Sequence, residues 1–389
     1  MGNKKILSII LIIIVYFVGT GLSYLFFSAQ AGSSQVSSPV AVQKDANGQS
    51  MFDPNLPKTE ACPLNGAKYS KQQKAWWEKH GPLGIMIENH EESRPQSGLS
   101  GADVIYEAVA EGGITRFLAM YYCQDIGIVG PVRSARTYFI DFVSEYGDFP
   151  LYAHVGGANQ PGPADALGQI SEYGWDGYND LNQFSIGFPV FWRDYTRLGR
   201  SVATEHTMYS SVDKLWEYAA KNRKLTNVNE DGDSWTDSFE PYSFKDDAPL
   251  LQRPAAQVVD VQFWSGYNKY FATWKYDKTT NTYKRFSGGA AHLDKDTSKQ
   301  LKAKTVVVLS MVEMNANDGY ENNLHLLYKD EGTGKATVFM DGKKITGTWE
   351  KDERTSRTII NDSSGTPIKF DRGLIWFQVL PTDGVLTVK

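Results

Sequence analysis

The sequence predicts an α/β layered N-terminal domain and a smaller, mostly β C-terminal domain, both preceded by one transmembrane helix. An uncharged apolar run stands near the N-terminus, and short apolar strands then alternate with helical patterns up to about residue 223. After residue 229 the pattern changes to strands joined by hairpin turns. We therefore divide the chain into residues 1–27, 28–57, 58–228 and 229–389.

The first segment predicts a membrane anchor. Residues 6–27 contain no charge and are long enough, as a helix, to cross the roughly 30 Å hydrocarbon core of a bilayer. Lys4 and Lys5 precede the run, so the positive-inside rule predicts a cytoplasmic stub and an extracellular location for the bulk of the chain. A cleaved signal peptide is the alternative, since residues 29–31 fit a small-residue cleavage site. We favour the anchor because the run exceeds the usual apolar region of about 7–15 residues.

The second segment, residues 28–57, has the composition of a flexible tether. It is rich in Ser, Gln, Pro, Asn and Gly and shows no apolar periodicity. Outside the membrane the formal charge of −5 becomes −7, because two lysines and no acids precede residue 28. This excess of negative charge argues against nucleic acid as a partner.

Residues 58–228 predict the α/β domain. The segments GIMIEN, VIYEAVA, RFLAMYY and LYAHV read as strands, and their nearly continuous apolar character suits a sheet covered on both faces. Between them, TYFIDFVSEYG, PADALGQISEYG and SVDKLWEYAAKNR have helical spacing, and Ser211 is placed to cap the last helix. Cys62 and Cys123 permit one disulfide, but a buried free Cys123 is equally compatible with the pattern.

Residues 229–389 predict a polar connector followed by the β-rich domain. The segments FATWKYDKTTNTYKRF, KTVVVLSMVEM, ATVFMDGKKITGTWE and GLIWFQVLP read as strands and hairpins. Asp341-Gly342 is a strong signal for a two-residue hairpin turn. We expect the strands of this segment and those of residues 58–228 to form separate sheets.

A cluster of arginines predicts an anion site in the α/β domain. Arg116, Arg133 and Arg136 surround one apolar strand, and Ser134 lies between the last two. The arginine fork suits carboxylate or phosphate, and arginine keeps its charge at any accessible pH. If a helix begins near Ser134, Arg133 and Arg136 share one of its faces.

The arginines also have a structural interpretation, in which they pair with Glu107, Glu111 or Asp141 and brace a turn. Ser134 carries no sequence signature of a nucleophile, because no Gly-x-Ser-x-Gly elbow is present.

A polar loop follows the GIMIEN strand and is the second component of the predicted site. Asn89, His90 and Arg94 stand where a strand ends, and parallel sheets commonly bind ligands at that edge. We expect these residues to converge with the arginines on one cleft. The full set of candidate ligand-binding residues is Asn89, His90, Arg94, Glu107, Glu111, Arg116, Arg133, Ser134, Arg136, His154, Arg193 and His206.

The sequence gives no pattern for a metal or a cofactor. His90, His154 and His206 are scattered along the chain without the close spacing of a zinc-binding helix. We therefore predict no metal site and no cofactor.

Several long motifs resemble one family of bacterial proteins. IENHEESRPQSGLSGADVIYEAVAEGGITRF and VGPVRSARTYFIDF, with CPLNG before them and KYDKTTNTYKRF and GTWEKDERT after them, are similar to the YerB-like family of envelope proteins. The resemblance runs from about Cys62 nearly to the C-terminus and implies an envelope location, but it names no catalytic residues. Many members resemble lipoproteins, with a cysteine directly after the apolar run, whereas here the first cysteine is Cys62.

Three classes of function fit these observations. We expect a membrane-anchored extracytoplasmic protein that binds an anionic envelope ligand, such as a phosphate-bearing lipid, a wall polymer or a peptide carboxylate. One alternative is an enzyme resembling the transferases of cell-wall polymers or phospholipids, an analogy that rests on layout alone. The other is a scaffold that recruits envelope proteins through its β-rich domain. An enzyme would bring carboxylates together with the arginines in one pocket, whereas a scaffold would expose an apolar patch.

Overall fold

The computed structural model describes residues 52–53 and 55–389, and these residues belong to one unit that spans residues 40–389. The predicted transmembrane helix at residues 6–27 and most of the predicted tether at residues 28–57 lie outside the described residues. Within the described part of the chain, no helix is both long and apolar enough to cross a membrane.

The strands are β1 (Lys58–Ala61), β2 (Lys68–Ser70), β3 (Leu83–Glu88), β4 (Val104–Glu111), β5 (Ile114–Tyr121), β6 (Ile128–Val129), β7 (Leu151–His154), β8 (Asp180–Asn182), β9 (Trp192–Arg193), β10 (Met208–Ser211), β11 (Phe244–Lys245), β12 (Val258–Gln262), β13 (Ala272–Asp277), β14 (Thr282–Ser287), β15 (Ala290–Ala291), β16 (Lys302–Ala303), β17 (Thr305–Met311), β18 (Glu313–Asn315), β19 (Leu326–Tyr328), β20 (Gly332–Met340), β21 (Lys343–Lys351), β22 (Ile359–Asp362), β23 (Phe370–Asp371), β24 (Ile375–Pro381) and β25 (Val385–Val388). The α-helices are α1 (Lys71–Trp77), α2 (Thr137–Val143), α3 (Ala166–Glu172), α4 (Gln183–Ile186) and α5 (Val212–Tyr218). A π-helical turn, Ala219–Arg223, continues α5, and single 3-10 turns lie at Glu91–Ser93, Leu99–Gly101, Thr204–His206, Trp235–Asp237, Leu250–Gln252, Asn268–Tyr270 and Tyr320–Asn322.

Most of the strands and helices predicted from the sequence are present. The apolar segments of the N-terminal half become β3, β4, β5 and β7, and the helical patterns become α2, α3 and α5. The Ser211 side chain accepts a hydrogen bond from the Lys214 backbone N–H and so caps α5 as predicted. Asp341 and Gly342 both have positive φ, 53° and 69°, and form the predicted hairpin turn between β20 and β21.

The predicted fold class needs correction, because the described part of the chain is mostly β, with few and short helices. Among residues 52–53 and 55–389 the longest α-helices have 7 residues, too short to cover a sheet as layers. In addition, β4 and β5 form an antiparallel hairpin around Gly112 and Gly113, with no helix between them.

The central sheet has ten strands in the order β22-β21-β20-β17-β24-β4-β5-β3-β7-β8. It therefore contains strands from both halves of the chain, and the expectation of separate sheets is wrong. The join lies between β24 and β4, which pair in parallel with Ile375 opposite Val104 and Gln378 opposite Glu107. The bounds predicted for the domains themselves stay a prediction.

A second, six-stranded sheet in the order β15-β14-β13-β12-β25, with β16 beside β14, packs on the central sheet. Trp274 of this sheet meets Trp376 of β24 edge to face, with ring centroids 5.1 Å apart. Arg285 of β14 forms a completely buried ion pair with Glu107 of β4, Nη2 to Oε1 2.8 Å. The contact between the two sheets thus includes both apolar and charged groups.

One disulfide joins the region before α1 to the end of β5. Cys62 and Cys123 are bonded, with Cα atoms 5.9 Å apart, and both residues are buried. This answers the question that the sequence left open, and it removes both sulfurs from any metal site.

Candidate functional site

A cleft of about 480 Å³ opens at one end of β3, β4 and β5. Because β3 and β5 are antiparallel, Glu88 at the end of β3 lies opposite Arg116 near the start of β5. The segment that contains Arg133 runs beside β3, where the Arg133 backbone N–H donates to the Met86 carbonyl. Residues distant in sequence therefore meet at this end of the sheet.

Glu111 lies between two buried arginines on the inner wall of the cleft. Arg116 Nη2 is 3.0 Å from Glu111 Oε2, and Arg116 Nη1 donates to the Ser134 carbonyl at 2.8 Å. Arg136 contacts Glu111 Oε1 through both Nε and Nη2. Burial alone would raise the pKa of Glu111, but the two guanidinium charges outweigh it and lower that pKa. One carboxylate thus serves two arginines, as the structural interpretation of the sequence had suggested for Glu111.

Arg133 differs from the other two arginines in exposure and in bonding. Its side chain is 30% exposed, and its Nε lies 3.1 Å from Glu88 Oε1 without the alignment of a hydrogen bond. Among residues 52–53 and 55–389, neither Nη1 nor Nη2 of Arg133 has a hydrogen-bond partner. Arg133 and Arg136 do not share a helical face, since α2 begins only at Thr137 and Arg136 is extended.

His206 and His90 stack at the mouth of the cleft. Their ring centroids are 4.7 Å apart and the rings are nearly parallel. His206 Nδ1 bonds Glu88 Oε2 at 2.8 Å, and His206 Nε2 lies 3.6 Å from Glu92 Oε2. The hydrogen bond to Glu88 raises the pKa of His206, whereas burial and the neighbouring His206 lower the pKa of His90.

These histidines qualify the prediction of no metal site. One ligand atom from each of His90, Glu92 and His206 lies within 4.8 Å of the others. Spacing along the sequence gave no hint of this, because the fold brings together residues that are more than 100 positions apart. These three residues are the part of the cleft that could hold an ion.

A second cavity of about 510 Å³ adjoins the first, and Arg133, Ser134 and Glu205 line both. Its walls include the backbone of Gly156 and Gly157 and the exposed ring of Phe184. Arg193 also lines this cavity, but its Nη1 donates to the Thr204 carbonyl at 2.6 Å and to Thr207 Oγ1 at 3.3 Å. Arg133 is therefore the arginine that both cavities share.

Asn89 and Arg94 do not line the cleft. Asn89 is fully buried, donates to Thr115 Oγ1 at 2.7 Å and accepts from Arg94 Nε at 3.0 Å. Arg94 also donates to the Lys269 carbonyl at 3.0 Å and stacks over the Tyr270 ring. Both residues brace the contact with the second sheet.

Glu107 and His154 are likewise structural in this fold. Glu107 accepts hydrogen bonds from Arg285, Thr115, Trp376 and Gln378 in the interior. His154 is fully buried, with Nε2 2.5 Å from Asp180 Oδ1 and Nδ1 2.7 Å from the Gly156 carbonyl.

The sequence interpretation missed eight residues that line the cleft: Glu88, Glu92, Ile114, Thr115, Ala203, Glu205, Tyr320 and Glu321. Glu88 is the last residue of an apolar strand. A charged residue at a strand end was a signal from which a position in the cleft could have been predicted. Tyr320 comes from a loop nearly 200 residues further along the chain, and its ring stacks on His325 with centroids 4.2 Å apart. No local pattern could have connected that loop with the arginines.

Comparisons with known proteins match most of the chain to one family. Residues 66–226 match the model described as "Protein of unknown function (DUF3048) N-terminal domain", and residues 259–377 match the corresponding C-terminal domain. The chain is 28% identical over 337 residues to "Putative lipoprotein YerB" of Bacillus subtilis (strain 168), a match that covers 84% of this chain and 88% of the relative. It also resembles the crystal structure of YerB protein from Bacillus subtilis, with a TM-score of 0.67 and 25% identity, over 85% of this chain and 100% of that chain. These matches confirm the resemblance predicted from the sequence motifs.

Proposed function

This chain belongs to the YerB-like family described as DUF3048, and from that premise we propose that it is a cell-envelope protein that binds a small anionic group in its central cleft. The observation that carries the proposal is Arg133. It is partly exposed, it lines both cavities, and its terminal nitrogens are free of partners within the described residues. A guanidinium with two free donors is suited to bidentate recognition of carboxylate or phosphate.

The charge on the inner wall supports an anion. Within the described residues, the three arginines there form ion pairs with two glutamates, Glu88 and Glu111, which leaves one surplus positive charge among these five groups while the histidines are neutral. The remaining cleft glutamates, Glu92, Glu205 and Glu321, are exposed at the rim, where solvent screens them. They would repel a long polyanion, so a small group such as a phosphate, a pyrophosphate or a carboxylate is the ligand that fits best.

The proposed location is the outer face of a cell membrane, held by a helix at residues 6–27. This part of the proposal rests on the apolar run in the sequence and on the relative that is named a lipoprotein. Since no cysteine precedes Cys62, a helix rather than a lipid would provide the anchor. Protease added to intact protoplasts should degrade the chain while a cytoplasmic marker survives, and survival of both would refute this location.

Binding of pyrophosphate, free or on lipid vesicles, tests the anion site. We expect Arg133→Ala to lose a charge-assisted contact of about 1.5–3 kcal/mol, which weakens binding roughly ten- to hundredfold. Arg133→Lys should recover only part of the affinity, because lysine keeps the charge without the planar fork. Arg372→Ala is a matched control, since Arg372 is also ion-paired and is 28% exposed but lies outside both cavities. Equal affinity of Arg133→Ala and the control would refute the site.

Chemistry on the bound group is a second candidate, favoured by one observation. Glu92 and Glu205 line the same cleft as the arginines, and this is the convergence of carboxylates expected of an enzyme. Hydrolysis of a pyrophosphate-bearing lipid, in which water attacks the terminal phosphorus and phosphate is released, would support it if the activity is lost in Glu92→Gln and Glu205→Gln. Binding without turnover under all tested conditions would leave only the binding function.

A further inference from the structure

The mouth of the cleft carries a set of residues suited to a transition-metal ion. We propose that His90, Glu92 and His206 bind one divalent ion, with zinc favoured by the ligand types. Their ligand atoms already lie within 4.8 Å of one another, and all three residues line the same cleft. Two imidazoles and one carboxylate, with a fourth position left to water or a ligand, form a donor set that zinc accepts. This site goes beyond the anion site, since the ion needs no anion to bind.

His206 is oriented like a metal-binding histidine. Its Nδ1 lies 2.8 Å from Glu88 Oε2, and both side chains are only 6% exposed. When Nδ1–H donates to that carboxylate, the lone pair of Nε2 faces outward to Glu92, whose Oε2 is 3.6 Å away. A carboxylate that holds the distal nitrogen of a histidine is the usual outer-shell support of a metal ligand. Glu88 would therefore be a positioning residue and not a ligand.

Glu92 offers the carboxylate on the solvent side. Its side chain is 53% exposed, and its sole ion-pair contact in the described chain is the one to His206. No arginine or lysine competes for it at hydrogen-bonding distance within residues 52–53 and 55–389. A carboxylate that pairs with no permanent cation can approach an ion without breaking a salt bridge.

His90 must turn before all three ligands can reach one ion. Its ring lies within 7° of parallel to the His206 ring, and an ion cannot lie in the planes of two stacked rings at once. Within the part of the chain that the structure describes, the ring makes one hydrogen bond, in which Nδ1 accepts from the Glu92 backbone N–H at 3.2 Å. Rotation of this half-buried side chain out of the stack therefore disrupts little else.

The local charge favours a cation at the rim. Five glutamates and three arginines line the cleft, and the surplus acids are the exposed ones near its mouth. In the absence of an ion, a protonated His206 that donates to Glu88 and faces Glu92 would account for the contacts of its two ring nitrogens with these carboxylates. The measurement must therefore detect the metal directly.

Calorimetric titration of the full chain, without a polyhistidine tag, with Zn²⁺ alone tests the proposal. We expect one ion per chain, and an affinity at least about tenfold lower in His90→Ala and in Glu92→Gln. Glu91→Gln is the matched control, because Glu91 stands in the same 3-10 turn but pairs with Lys269 outside the cleft. With Co²⁺ as the probe, the wild type should give the strong visible absorption of a tetrahedral site, and both ligand variants should lose it.

Two results would overturn the site: no zinc binding by the wild type, or equal binding by the wild type, His90→Ala and Glu92→Gln. The two ligand variants change partly or fully exposed side chains, so a failure to fold does not obscure the outcome. The anion site is tested separately. Arg133→Ala should still bind zinc. If this variant loses pyrophosphate binding but keeps zinc binding, the result supports the anion site and leaves the metal site unaffected.

Discussion

Replacing Arg133 and Arg136 separately by Ala should distinguish a ligand-binding arginine from a structural one three residues away. Arg136 is 9% exposed and contacts Glu111 through two nitrogens. Its loss leaves Glu111, whose side chain is 21% exposed, with Arg116 as its remaining ion-pair partner among the described residues. Breaking a buried pair destabilises by about 3–5 kcal/mol, and we expect the lower end because Arg116 stays in place.

Arg133 should behave in the opposite way. Its side chain is 30% exposed, and its ion pair with Glu88 is poorly aligned. Pairs of that kind contribute about 0–1 kcal/mol, and Glu88 keeps its hydrogen bond with His206. The free energy of unfolding should therefore change little, while anion binding falls roughly ten- to hundredfold.

Urea denaturation measures the two free energies of unfolding, and pyrophosphate titration of the folded variants measures binding. The control is Arg136→Lys, which keeps a positive charge beside Glu111 and leaves the pair of Glu111 with Arg116 in place. It should recover part of the stability that Arg136→Ala loses, because Glu111 keeps a second cationic partner. A loss of about 3 kcal/mol or more in Arg133→Ala, with unchanged binding, would refute the assignment of these two roles.

Three further predictions concern groups outside the cleft. Burial raises the pKa of Asp141 to about 6, and burial together with the Asp141 charge raises the pKa of Asp330. Because both pKa values are raised, stability is lost as the pH rises through them, so Asp141→Asn should stabilise at pH 8 by roughly 1–3 kcal/mol and hardly at pH 4 in urea melts. Reduction of Cys62–Cys123, which closes a loop with a sequence separation of 61, should destabilise by about 4 kcal/mol in melts with and without reductant. Glu107→Gln should destabilise by about 3–5 kcal/mol in urea melts, since it leaves the buried Arg285 without its ion-pair partner.

Local structure was predictable where a single short pattern determines it. The apolar run of β3 is buried along its whole length, as its composition indicated. The turn at Asp341-Gly342 requires two positive φ angles, which Asp and Gly tolerate. These two residues were therefore enough to predict the turn. The same signal was present in Gly112-Gly113, and reading it would have predicted the β4–β5 hairpin in place of an α/β layer.

The pairing of β24 with β4 was not predictable from local patterns. Ile375 and Val104 are neighbours in the sheet but stand some 270 positions apart in the chain. Periodicity shows that a strand has two buried faces, but it does not show which strand lies beside it. The ion-pair partners of charged residues also depend on which strands are neighbours. The sequence placed Arg116, Arg133 and Arg136 together, but it could not show that Arg133 would pair with Glu88 while the other two pair with Glu111. Ligand binding by these residues stays a prediction.

The cleft depends on the C-terminal half of the chain as well as on the strands that form it. Thr115 lines the cleft, accepts a hydrogen bond from Asn89 at 2.7 Å and donates to Glu107 Oε1 at 2.9 Å. The same Glu107 oxygen accepts from Arg285 of β14 at 2.8 Å, so an unbroken chain of hydrogen bonds runs from the cleft wall into the second sheet. The folded state loses stability when a buried polar group loses a hydrogen-bond partner. Thr115 and Arg285 share the acceptor Glu107, so the position of Thr115 depends on that of Arg285. The second sheet is therefore part of the support of the cleft.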